Sequence, residues 1–107
     1  MINVAQKNIA PSADHPDHDV YSFSVVPGSD KPFVFEQSIG GGHSERGGAT
    51  LLSLSELNEW PGDWRQHLYH SGCSWVIAVL EAVIPSADSS SAVESILAGL
   101  SHPGGEA

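Results

Sequence analysis

The two halves of this chain obey different periods, and that division constrains its fold more than any other feature. From Val20 to Val26, valine, tyrosine and phenylalanine are interleaved with Ser22 and Ser24, the period-two pattern of a half-buried strand. Pro27-Gly28-Ser29-Asp30-Lys31-Pro32 supplies turn chemistry, and Phe33, Val34, Phe35 and Ile39 form a second strand, so the pair reads as an antiparallel hairpin. Beyond Ser53 the pattern turns helical. Ser53 with Glu56, Asp63 with Gln66, and Ser91 with Glu94 each place a capping residue three positions ahead of a glutamate or glutamine, an arrangement that satisfies orphan amides at a helix start.

Strands followed by helices predict an α+β domain. The expected architecture is a small antiparallel sheet, made of the hairpin plus a short third strand at Ala49 to Leu52, covered on one face by two to four helices. Those helices are a short one ending near Trp60, stopped by Pro61-Gly62; a helix or kinked helix pair over 63–84, stopped by Pro85; and a last one over 91–100. Trp64, Leu68, Trp75, Val79 and Val83 recur on one helical stripe, which predicts a core position for Trp75, with Gly72 allowing close approach of a neighbour. Residues 1–19 read as a flexible arm and 101–107 as a tail, leaving 20–100 as the single domain. The five glycines between Gly40 and Gly48 predict a flexible loop.

Thirteen acidic side chains oppose four basic ones, for a formal charge of −9. A field of that sign repels phosphate backbones and anionic lipid and attracts basic protein surfaces. Direct nucleic-acid binding and membrane binding are therefore not expected. The acids are scattered rather than run together, as on the solvated faces of a folded domain. Protonating all six histidines would reduce the charge from −9 to −3, so a charge-driven partnership should weaken in mild acid. The single cysteine excludes an internal disulfide. The N-terminal residues lack the cationic and continuous apolar segments of a secretory signal, and the apolar run Trp75 to Leu80 is too short to cross a bilayer. A cytoplasmic protein is expected.

Several residue groups invite a chemical reading. His67, His70 and Cys73 follow one another at helical spacing and could approach zinc or another divalent metal, although a structural zinc site takes four ligands. His15 and His18 form a second pair in an Asp-rich segment. Cys73 with His70 resembles a nucleophile and base, but the carboxylates that would complete it, Glu81 or Asp63, are poorly spaced and no cation stands by to hold a thiolate. The glycine-rich segment follows a strand as phosphate loops do, yet lacks the Gly-Lys-Ser/Thr and G-x-G-x-x-G spacings; Arg46 alone could meet an anion. Trp60 and Trp64 flank Pro61-Gly62 at a helix junction, where an aromatic ring is suited to an interface.

No catalytic signature of high specificity stands among these. The leading expectation is a small acidic, non-catalytic protein-binding module, an inhibitor of a basic or nucleic-acid-binding protein in the manner of immunity, antitoxin-like or phage anti-defence proteins, with Glu56, Glu59, Trp60, Asp63 and Trp64 at its interface. Two alternatives stand beside it. One is a metal- or ligand-binding domain using His67, His70 and Cys73; the other is an oligomeric accessory subunit, for instance a homodimer formed through helix 91–100.

Overall fold

A computed structural model describes residues 1–9, 18–41 and 44–101, and within these the side chains of residues 18, 40, 41, 44–46 and 101 are not described. The fold is α+β. Four antiparallel strands, β1 (Ile2–Ile9), β2 (His18–Val25), β3 (Phe33–Gly41) and β4 (Ser44–Leu52), lie in the order β1-β2-β3-β4. A 3-10 helix at Leu54–Glu59, α1 (Trp64–His70), α2 (Trp75–Val83), a 3-10 turn at Ile84–Ser86 and α3 (Ser89–Ser101) complete the order.

The central hairpin is the one expected from the alternation. Its register places Val25 opposite Phe33, Phe23 opposite Phe35 and Tyr21 opposite Gln37, so these side chains share a face. The link is a tight turn in which Ser29 N donates to Val26 O at 3.1 Å. Gly28 follows Pro27 there and takes φ +86°, the left-handed conformation that a type II turn demands at its third position.

Two segments differ from expectation. The presumed arm contains β1, which pairs with β2 from Ile2↔Val25 to Ile9↔Asp19 with an irregularity between Asn3 and Ala5. That bulge shifts the alternation by one residue and hides the strand from a period-two reading. The glycine-rich segment is also strand over much of its length: β3 and β4 pair from Phe33↔Leu52 to Gly41↔Ser44. Ladder hydrogen bonds offset the roughly 0.5–1 kcal/mol that each strand glycine costs in entropy. At Gly47 a side chain would be crowded, because a Cβ would lie 3.1 Å from Ser38 Cβ and 3.2 Å from the Gln37 carbonyl oxygen.

The helices form where the caps predict, with changes at their ends. Ser53 N donates to Glu56 Oε1 at 2.8 Å, the glutamate half of the first capping box. Asp63 caps α1, its Oδ1 accepting from Arg65 N at 3.1 Å and Gln66 N at 3.3 Å. The 63–84 segment is a helix pair. Gly72, at φ +82°, ends α1 in a Schellman motif, with Cys73 N donating to Leu68 O and Gly72 N to Tyr69 O, each at 3.1 Å. Gly72 is thus an exposed cap rather than a point of close packing. The last helix begins earlier than expected: Asp88, not Ser91, is its cap, accepting from Ser91 N at 3.2 Å and Ser91 Oγ at 2.8 Å.

The break at Gly72 resets the helical phase, so the stripe drawn from Trp64 to Val83 is not one face. Trp64 and Leu68 are buried, but α2 buries Val76 and Leu80, and Trp75 stands 40 % exposed. Its ring lies on Gly99 of α3, where a Cβ would come within 2.5 Å of Cζ3. The core therefore comprises Phe23, Val25, Phe33, Phe35 and Leu52 from one sheet face, closed by Leu54, Leu57, Trp64, Leu68, Cys73, Val76, Leu80, Ala92, Val93 and Ile96. The opposite face contributes nothing to that cluster; there Asn3 Nδ2 bridges Ser22 Oγ at 2.9 Å and Ser24 Oγ at 3.2 Å. Among the described residues no helix is long and apolar enough to cross a membrane.

Candidate functional site

The helices cover only part of the inner sheet face, for a dimensional reason. Nine residues of β3 span about 30 Å, whereas the seven residues of α1 span about 10 Å. The core occupies the end of the face bearing Val25 and Phe33. Toward the Tyr21 and Gln37 end the helical layer stops, leaving a cleft of about 720 Å³. Tyr21, Phe35, Gln37, Ile39, Gly48 and Thr50 form its floor, all on the inner face by the strand register. Asp63, Gln66, His67 and His70 form one wall, because steps of three and four place them together on α1 while Trp64 and Leu68 turn to the core. Trp60 and Gly62 close the remaining side.

Aromatic rings dominate the interior. The Phe35 ring centroid lies 5.1 Å from Trp60 and 5.2 Å from His67, the latter pair almost perpendicular at 84°. Tyr21 lies 5.3 Å from His67 and 5.0 Å from His70. Trp60 is held by Gly62, where a Cβ would come within 2.7 Å of the indole. Gln37 Nε2 donates to the Tyr21 hydroxyl at 3.1 Å. Burial, reinforced by the Asp19 carboxylate, raises the Tyr21 pKa and keeps the phenol protonated.

His67 is 7 % exposed. Its Nε2 lies 3.0 Å from the Ser22 carbonyl oxygen; a carbonyl only accepts, so Nε2 carries the proton and Nδ1 presents a lone pair. Burial lowers the His67 pKa and neighbouring His70 adds to that, against the opposing pull of the Ser22 carbonyl. Gln66 Nε2 lies 3.0 Å from His70 Nε2 and donates to it, which leaves the His70 proton on Nδ1. Asp63 is the acidic side chain among the described residues that line the cleft.

Of the residues singled out in the sequence, the fold brings Trp60, Asp63, His67 and His70 to this cleft. Glu56 is engaged elsewhere: its hydrogen bond from Lys31, then that from Ser53, hold its carboxyl down to about 2. Glu59 is exposed at the end of the 3-10 helix, outside the cleft. Trp64, expected at an interface, is 2 % exposed; its Nε1 donates to Asn58 Oδ1 at 3.1 Å, and the Arg65 guanidinium carbon lies 4.3 Å from its ring centre.

Cys73 lies wholly within the core, where burial pushes its thiol up to about 12. It is therefore protonated at neutral pH, and the fold does not gather it with His67 and His70: among the described residues no three His, Cys, Asp or Glu side chains converge as a metal site would require. Glu81, considered as an orienting carboxylate, is paired with Arg65 at 2.7 Å. His15, His43 and the Pro103-Gly104-Gly105 end of the tail lie outside the described residues, as do the His18 and Arg46 side chains.

Tyr21, Phe35, Gln37, Gly48, Thr50 and Gln66 were not among the candidate site residues read from the sequence. The alternation does put Tyr21 and Phe35 on the inner face, but the site arises from how far the helices reach across it. No protein family, curated protein or solved structure matches this chain.

Proposed function

We propose that this protein is an acidic, non-catalytic binding module that docks on a basic protein surface and takes part of that partner into the cleft between α1 and the sheet, thereby inhibiting it. The observation that carries this reading is the cleft itself: about 720 Å³, lined by Tyr21, Phe35, Trp60 and His67, with Asp63 as its acidic lining residue among those described. Cavities of this size and apolar character are the usual seats of recognition. Half-buried aromatic rings serve as anchors that set residence time, while a formal charge of −9 speeds encounter with a cation.

Gly48 provides the test. It lies on the inner face opposite Gln37, and a Cβ there would meet nothing within 4 Å, so Gly48→Leu adds an isobutyl group on the cleft floor without a clash at Cβ. The wild-type protein is expected to retain a basic partner from host extract at low salt and release it as salt rises, and Gly48→Leu is expected to retain far less. Equal retention by the variant would remove the cleft from the interface.

A further inference from the structure

We propose that the cleft is a guanidinium site, the seat of an arginine side chain of the basic partner. This rests on reading the cleft as the recognition surface, and it specifies the chemistry that surface selects.

Three features converge on that group. Asp63 uses Oδ1 to cap α1, accepting from Arg65 N and Gln66 N, while Oδ2 has no hydrogen bond from the described residues and belongs to a side chain on the cleft wall. One turn along, His67 Nδ1 is an acceptor with no hydrogen bond from the described residues, on a ring that is 7 % exposed and also lines the cleft. The rings of Trp60, Tyr21 and His70 line the same cleft. The site thus offers one anionic and one neutral acceptor, together with flat π-surfaces.

A guanidinium matches this set. It is planar, permanently charged, carries five N–H donors in a rigid fork and stacks on aromatic rings. An ammonium is compact and strongly hydrated, so it gains less from flat walls. A phosphate or carboxylate would meet Asp63 and a negative protein. The volume, about 720 Å³, has room for the arginine and flanking backbone.

The test uses the full chain and three capped tripeptides, Gly-Arg-Gly, Gly-Lys-Gly and Gly-citrulline-Gly, titrated at low salt while the Trp60 indole and His67 ring-nitrogen signals are followed by NMR. The arginine peptide is expected to shift both signals saturably and to bind about tenfold more tightly than the citrulline peptide, the scale of a partly desolvated cation on aromatic rings. Asp63→Asn is expected to lose a similar factor while keeping the helix cap, since Asn caps as well as Asp. Gly48→Leu is expected to abolish the shifts. Citrulline or lysine binding as tightly as arginine overturns the assignment, as does arginine binding untouched by Asp63→Asn, or no binding at all. Should the peptides fail while Gly48→Leu still abolishes partner retention, the guanidinium assignment falls and the cleft-docking reading stands. Peptide binding combined with partner retention unaffected by Gly48→Leu gives the converse.

Discussion

His67 Nε2 and the carbonyl oxygen of Ser22, 45 positions apart in the chain, lie 3.0 Å from each other and fasten α1 to β2 at the inner end of the cleft. Burial keeps this imidazole neutral in the folded protein, with a pKa below the ordinary histidine value. An unfolded chain takes up a proton near pH 6.5, whereas the folded one resists it until lower pH. Stability should therefore be fully present above about pH 6.5, decline as pH falls toward the folded value and level off beneath it. One proton limits the slope to about 1.4 kcal/mol per pH unit, lessened by solvent reaching the ring. Urea denaturation between pH 7.5 and 5 should show this decline, and His67→Gln, whose amide can still donate to Ser22, should flatten it. A variant as pH-sensitive as the wild type would assign the decline elsewhere.

Cys73 should be inert in the native state. With its thiol pushed up to about 12 by burial, the thiolate fraction at pH 8 is roughly a thousandfold below that of a free cysteine. Reaction with a disulfide reagent should be slower by at least that factor than in denaturant, since burial also blocks access. Prompt labelling of the folded protein would contradict a core position.

The contact between Trp75 and Gly99 predicts a change of sign. Alanine at position 99 would place a methyl 2.5 Å from Trp75 Cζ3, so Gly99→Ala should destabilise by about 1–3 kcal/mol through overpacking. In a Trp75→Ala background the same substitution should stabilise by about 1 kcal/mol, because only the helix propensity gain remains. Thermal unfolding of the four proteins in this cycle measures the coupling; simple additivity would show that the indole swings freely aside.

Capping of α3 predicts an order of effects. Asp88 accepts from both the amide and the hydroxyl of Ser91, and those bonds, the hydroxyl's first, hold its carboxyl below the ordinary range. Asp88→Ala loses both bonds, whereas Ser91→Ala loses one. The urea midpoint should drop further for Asp88→Ala, with m unchanged. The reverse order would restore Ser91 as the cap.

Much of this fold was legible because local chemistry and global packing agree. The alternation through Tyr21, Phe23 and Val25, the turn at Pro27-Gly28 and the caps at Ser53 and Asp63 reappear as predicted. Where one local event changes the phase, legibility ends. The irregularity between Asn3 and Ala5 concealed β1, and the left-handed Gly72 turned Trp75 away from the stripe shared by Trp64 and Leu68. The site was legible only in part. Trp60, Asp63, His67 and His70 drew notice for their chemistry, but their meeting with Tyr21 and Phe35 depends on a short α1 beside long strands, a length relation between elements distant in sequence.

The strand order β1-β2-β3-β4 is a plain meander. Each strand can zip onto its predecessor as soon as a short connection closes, so assembly needs no wait for a distant segment, which favours rapid collapse of the sheet. The two inner strands carry Tyr21 and Phe35, and fraying at either margin therefore leaves the ring cluster standing on paired backbone.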